Sequence, residues 1–258
     1  MFGAAIESQL ATLLPPGGAR NAIDCALWDL EAKRTGKRVW ELAGLASVKP
    51  IITDHTIGLD DPAAMAAIAA ALHRFPVLKL KLAGENDLER VLAVRAVRPD
   101  AELIVDANQA WTKRDLEALA PQFAEIGVKL IEQPLPAGKD DALLGYDSPV
   151  PLCADESCQT TESLRELVGK YQYINIKLDK TGGLTEALSL AQEGRRQRFK
   201  LMVGCMAGSS LSMAPAFIVA QLCDIADLDG PLLSSCDIAP SIRYDGGWMH
   251  PPDRALWG

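Results

Sequence analysis

Residues 77–106 read VLKLKLAGENDLERVLAVRAVRPDAELIVD, and this stretch decides the fold. It opens on an alternating run, Val77 to Ala83, in which Lys79 and Lys81 fall on one face and Leu78, Leu80 and Leu82 on the other. Asp87 to Val97 then carries apolar residues at helical spacing between an Asn-Asp start and a proline. Glu102 to Asp106 is a second apolar run ending in an acid. Strand, helix and strand in such close succession imply two parallel strands joined by a right-handed crossover.

The same beat runs outward in both directions. Further strands are expected at Ile51 to Ile57, Lys129 to Glu132, Pro151 to Asp155, Tyr173 to Leu178, Phe199 to Gly204 and Asp224 to Asp229. Helices are expected at Lys113 to Ile126, Thr161 to Val168 and Leu184 to Arg195. Eight strands in alternation with helices favour closure into a TIM-type barrel. An open doubly wound sheet would want a Gly-rich phosphate loop after its first strand, and none is present. Ahead of the repeating units, Asn21 to Thr35 reads as a helix. Asn21 is its expected cap, Ile23, Leu27 and Leu30 share one face, and Gly36 is its stop.

With 258 residues, 48% of them apolar and 23% charged, the chain has the make-up of an ordinary globular protein. Its formal charge of -8 leaves no basic face for nucleic acid, so no nucleic-acid partner is expected. An anionic substrate would need a local device such as a bound cation. Six scattered cysteines without a CxxC pair read as reduced core residues. No apolar run is long enough for a signal peptide or a membrane span, so a cytoplasmic protein is expected.

In a parallel barrel the active site lies at the C-terminal strand ends. Asp106 (VDANQAW), Glu132 (IEQPLP) and Asp155 (CADES) stand at three successive ends, where their carboxylates would repel one another without a cation. Hard oxygen ligands of this number suit Mg²⁺, with Mn²⁺ as a substitute. Any one of the three taken alone reads as a helix cap or turn acid. Lys79 and Lys81 point inward if the leucines between them pack on the helices, and their mutual repulsion favours a neutral amine that can act as a base. Lys177, in INIKLDKTGG on the sixth strand, has a like context across the barrel from the second strand. Lys81 and Lys177 are thus placed to flank one carbon from opposite faces. That arrangement suits removal and return of a proton α to a carboxylate through a stabilised enediolate, giving the epimer.

These motifs resemble the muconate-lactonizing subgroup of the enolase superfamily, and within it the dipeptide epimerases of the L-Ala-D/L-Glu type. The strings KLKL, IVDAN, IEQPLP, CADES, NIKLDKTGGLTEAL, GCM and DLDGP carry the resemblance, which runs from Ala19 to Pro231. It implies an enolase-type (β/α)7β barrel, Mg²⁺ on Asp106, Glu132 and Asp155, paired bases Lys81 and Lys177, and Lys79 assisting the substrate carboxylate. In DLDGP, Asp227 and Asp229 are implied to hold the α-ammonium of an acidic dipeptide, and strand alternation also places both on one face. A role in murein peptide metabolism and room for a homo-oligomer follow from the same resemblance.

The implied organisation is a helical remnant of the N-terminal capping domain at 1–49, the catalytic barrel at 50–231 and a C-terminal tail at 232–258 that packs on the capping region. Most of the family's cap is missing on this reading, so a catalytically impaired remnant also fits the sequence. So do a different racemase, cycloisomerase or o-succinylbenzoate synthase of the superfamily, and a Schiff-base aldolase using Lys177. His55 and His73 lack partners of ligand spacing, Trp28 and Trp111 read as packing residues, Cys205 is a candidate to line the pocket, and Ser209 and Ser210 are candidates to hydrogen-bond substrate.

Overall fold

The computed structural model describes residue 10 and residues 12–258. Its strands are β1 (Ile51–Ile52), β2 (His55–Ile57), β3 (Val77–Lys81), β4 (Glu102–Asp106), β5 (Val128–Glu132) and β6 (Leu152–Ala154). They continue with β7 (Tyr173–Lys177), β8 (Lys200–Gly204), β9 (Ile225–Ala226), β10 (Tyr244–Asp245) and β11 (Trp248–Met249). Strands β2 to β9 form one eight-stranded sheet in sequential order. Successive strands from β2 to β7, and β8 with β9, pair parallel, as the alternation with helices requires. The chain divides into two compact units: one holds the chain up to Thr53 with Gln159–Leu164 and Asn175–Gly258, the other Asp54–Cys158 and Arg165–Ile174.

In the unit beginning at Asp54, alternation buries Leu78 and Leu80 of β3 completely, together with Leu103 and Val105 of β4. The helix Pro62–Ala71 starts where Asp61 accepts the N–H groups of Ala63 and Ala64, each at 3.0 Å, a cap worth about 1 kcal/mol. Helices Asp87–Val97 and Lys113–Ile126 have the expected bounds. A capping box of Thr112 and Asp115 opens the second. The expected helix from Thr161 to Val168 is instead a 3-10 turn, Thr161–Ser163, running into a single helical turn, Leu164–Leu167.

In the other unit the helix expected from Asn21 spans Gly18–Thr35, beginning earlier than expected. Gly17 stands at its N-cap, so Asn21 is an interior residue and not the cap. Ile23 and Leu30 are 44% and 58% exposed; the helix instead buries Asp24, Glu31 and Ala32. The physical reason is polar anchoring, because Asp24 accepts from the Thr185 hydroxyl at 2.6 Å and Trp28 donates to the same hydroxyl at 2.8 Å. Gly36, at φ 74°, ends the helix as the sequence implies. C-terminal residues bond this helix: the Trp257 indole donates to the Cys25 carbonyl at 2.9 Å and the Gly258 N–H to Asp29 at 2.7 Å.

The first expected strand, Ile51 to Ile57, is broken in two. β1 pairs antiparallel with β11, Ile51 opposite Met249, while β2 joins the parallel sheet. Between them Thr53 is taken up elsewhere, its N–H by the Gly247 carbonyl and its hydroxyl oxygen by the Leu228 N–H, both at 2.8 Å. Among the described residues no helix is long and apolar enough to cross a membrane.

Candidate active site

Register brings the first site residues to one level. Lys81 is paired with Asp106 across β3 and β4, and Asp106 with Glu132 across β4 and β5. Cys153 of β6 stands opposite Glu132, and Asp155 follows just past that strand. Asp106, Glu132 and Asp155 are 0%, 0% and 3% exposed, and each offers a carboxylate oxygen within 4.8 Å of the others. The three acids expected to converge do converge.

Both lysines of β3 reach this cluster. Lys79 Nζ lies 2.8 Å from Glu132 Oε2 and 3.2 Å from Asp106 Oδ2, and Lys81 Nζ lies 2.7 Å from the same Asp106 oxygen. The lysines, expected to lie side by side, therefore share a carboxylate that the sequence did not assign to them. The other Asp106 oxygen, Oδ1, accepts the Asn108 N–H at 2.9 Å. Three acids stand against two lysines in this buried volume, where a charge left uncompensated would cost several kcal/mol. Oxygen donors of this kind and closeness fit a hard divalent cation. The residues thus fit a metal centre.

The remaining predicted residues belong to the other unit. Lys177 ends β7 and is 7% exposed. A Cβ on Gly204, at the end of β8, would lie 2.9 Å from Lys177 Cε and 2.8 Å from Asn175 Oδ1, so the glycine leaves the space that the lysine stem occupies. Asn175 is fully buried, and its carbonyl accepts from Lys180 Nζ at 2.9 Å. Asp227 and Asp229, 5% and 2% exposed, bring carboxylate oxygens within 4.8 Å of each other. Strand alternation does not explain the pair. β9 ends at Ala226, and Asp229, with φ −89° and ψ 2°, starts the 3-10 turn Gly230–Leu233.

Sequence reasoning missed a buried polar network around Asp140. Asp140 is 3% exposed and receives hydrogen bonds from Ser157 Oγ at 2.6 Å, Tyr171 OH at 2.8 Å and Lys170 Nζ at 2.9 Å. Burial alone would push its carboxyl up, but these bonds from Ser157, Lys170 and Tyr171 hold it below the usual carboxylate range. Burial pulls the Lys170 ammonium the other way, and Asp141 and Asp140 together raise it above the ordinary lysine value. Burial, then the neighbouring Asp140 charge, pushes the Tyr171 phenol up. Asp140 and Lys170 are too far apart in sequence for spacing to have linked them.

His55 packs edge-on against Phe75, ring centroids 4.7 Å apart, and His73 is exposed. Trp111 is 2% exposed and its indole donates to Asp87 at 2.7 Å, as a packing residue would. Ser210 is fully buried, its hydroxyl bonded to Asp237 and to the Ile242 N–H, so it is not a pocket group.

Residues 62–255 match the enolase C-terminal domain-like family, and residues 5–44 the N-terminal domain of mandelate racemase and muconate lactonizing enzyme. The chain belongs to the enolase superfamily. Its fold is the enolase-type α/β fold expected from the motifs. An N-acetyl-D-glutamate racemase of a Pseudoalteromonas species is 47% identical over 251 residues, covering 97% of this chain and 79% of that protein. The L-Ala-D/L-Glu epimerase of Escherichia coli K12 is 45% identical over 246 residues, covering 95% and 77%. Both relatives are isomerases by name. A crystal structure of an enolase family member from Agrobacterium tumefaciens with homology to dipeptide epimerases, bound to sodium and L-Ala-L-Glu, is 50% identical with a TM-score of 0.95. That likeness covers 97% of this chain and 77% of the solved one.

Proposed function

We propose that the chain is an epimerase that inverts the α-carbon of the glutamyl residue in an acidic dipeptide of the L-Ala-D/L-Glu type, with Mg²⁺ as its metal and Mn²⁺ as a substitute. The observation that carries the reading is the buried set of Asp106, Glu132 and Asp155 with Lys79 and Lys81 hydrogen-bonded into it. Asp106, Glu132 and Asp155 hold the cation. When bound, it supplies positive charge against the enediolate that develops as the α-proton leaves. Lys79 adds its ammonium on the carboxylate side of the substrate. Lys81 serves one face of the α-carbon and Lys177 the other, one removing the proton and the other returning one. The catalytic barrel on this reading occupies residues 50–231. A place in murein peptide metabolism agrees with a dipeptide of this composition.

A second reading is favoured by the 47% identical N-acetyl-D-glutamate racemase: the chain racemises an N-acylated glutamate without a free amino group. Both substrates present the same reacting centre, a glutamate α-carbon between a carboxylate and an amide. They differ in the ammonium, for which the Asp227 and Asp229 pair is the complementary feature. The test is to incubate L-Ala-L-Glu and N-acetyl-L-glutamate separately with protein and Mg²⁺ and to follow the second epimer by chiral chromatography. Faster, chelator-sensitive turnover of the dipeptide supports the first reading, and faster turnover of N-acetylglutamate the second. Failure on both substrates by folded, metal-binding protein rejects the two together.

A further inference from the structure

Gln133 directly follows Glu132, and its contacts reach all three chain segments that carry the acids. Its carbonyl accepts the Gln109 N–H at 2.8 Å, from the loop after Asp106. Its N–H donates to the Cys153 carbonyl at 2.9 Å, within β6 and two residues before Asp155. Its side-chain Oε1 accepts the N–H of Asp155 itself at 2.8 Å and that of Ser157 at 3.1 Å. On the far side Nε2 is fixed by Leu135 O at 2.8 Å, Ser157 Oγ at 2.9 Å and Tyr171 OH at 3.1 Å. The last two hydroxyls both donate to Asp140, so the amide is held by groups that are themselves anchored.

Two features mark this as more than filler. Gln133 is fully buried yet uses every polar atom it has, and its backbone sits at φ 36°, in the left-handed region that non-glycine residues avoid. Such a conformation costs on the order of 1 kcal/mol or more and persists where surrounding contacts over-determine it. Here it turns the chain sharply after Glu132, so that the amide reaches the Asp155 loop while the Glu132 side chain remains with the acid cluster.

The geometry points to Gln133 as the positioning residue of the metal centre. It touches no reacting atom; it sets the separation of Asp106, Glu132 and Asp155 by tying their three loops together, and so sets metal affinity. This rests on the reading of those acids as the metal ligands. Groups that orient metal ligands in this way typically govern affinity by roughly 10- to 100-fold.

Mn²⁺, added alone to the metal-free protein and followed by its electron paramagnetic resonance signal, is the probe. Gln133→Met keeps the volume and removes the side-chain hydrogen bonds, and its Mn²⁺ dissociation constant is expected to rise at least about tenfold. A residue serving only the fold would lower the metal-free unfolding midpoint and leave that constant unchanged, and this result overturns the inference. If Gln133→Met does not fold, Tyr171→Phe decides on the same readout, since it removes one hydroxyl that anchors the amide. Weakened Mn²⁺ binding then supports the inference and wild-type binding overturns it. Failure of the unchanged protein to bind Mn²⁺ overturns the metal reading, and this inference with it.

Discussion

On the proposed reading Asp227 and Asp229 face the ammonium that separates the two candidate substrates, so substitution there is expected to have a selective outcome. A hydrogen bond to a charged group is worth about 1.5–3 kcal/mol, which corresponds to roughly a 10- to 100-fold change. Asp227→Asn is expected to raise KM for L-Ala-L-Glu by that factor and to leave KM for N-acetyl-L-glutamate nearly unchanged, as steady-state kinetics on both substrates would register. Lys177 offers a sharper contrast. Lys81→Ala and Lys177→Ala are each expected to stop epimerisation, while each retains exchange of the α-proton from one epimer only. Gly204→Ala forces its new methyl against Lys177 Cε and the buried Asn175 amide, so it should lose exchange from the same epimer as Lys177→Ala. Proton exchange followed by NMR on each separated epimer checks this. The convergence of Asp106, Glu132 and Asp155 with Lys79 and Lys81 was legible in the sequence, because they stand on or just past successive strand ends. The role of Gln133, within IEQPLP, was not, since nothing in periodicity shows that a glutamine's backbone will turn left-handed and bridge three loops.

Elements were legible where their ends are written locally. Asp87–Val97 and Lys113–Ile126 begin and end as expected, the second because Thr112 and Asp115 form a reciprocal cap. The strand expected at Ile51 to Ile57 failed because Ile51 pairs with Met249, a partner that no local pattern could name. Asp87 does more than open its helix. It is 1% exposed and accepts the N–H groups of Ala83 at 3.1 Å and Gly84 at 2.7 Å, and the Trp111 indole at 2.7 Å. The loop it fixes leads directly from Lys81. Asp87→Ala strands these donors and is expected to cost about 3 kcal/mol, read as a lower midpoint in urea unfolding with the slope unchanged.

Across the molecule, the buried Asp140–Lys170 ion pair gives the fold a pH dependence of its own. Asp140 has a folded pKa below its unfolded value, so its contribution is complete above about pH 4 and fades as pH falls through the lower folded value. Lys170 is raised, so its contribution is complete below about pH 10 and is lost as pH rises through the higher folded value. The gap in unfolding temperature between the unchanged protein and Asp140→Asn is therefore expected to be constant near neutral pH and to close in acid, as calorimetry at a series of pH values would show. None of this network was foreseeable, because it joins segments separated by the whole β6 region and needs the fold to exist first. The central claim, proton transfer at a glutamyl α-carbon by lysines beside a three-acid metal centre, meets its most direct test in heavy water. L-Ala-L-Glu incubated with the protein and Mg²⁺ is predicted to gain deuterium at the glutamate α-carbon and to yield both epimers, detected by NMR and mass spectrometry. Folded, metal-loaded protein that leaves that position fully protonated would contradict the account.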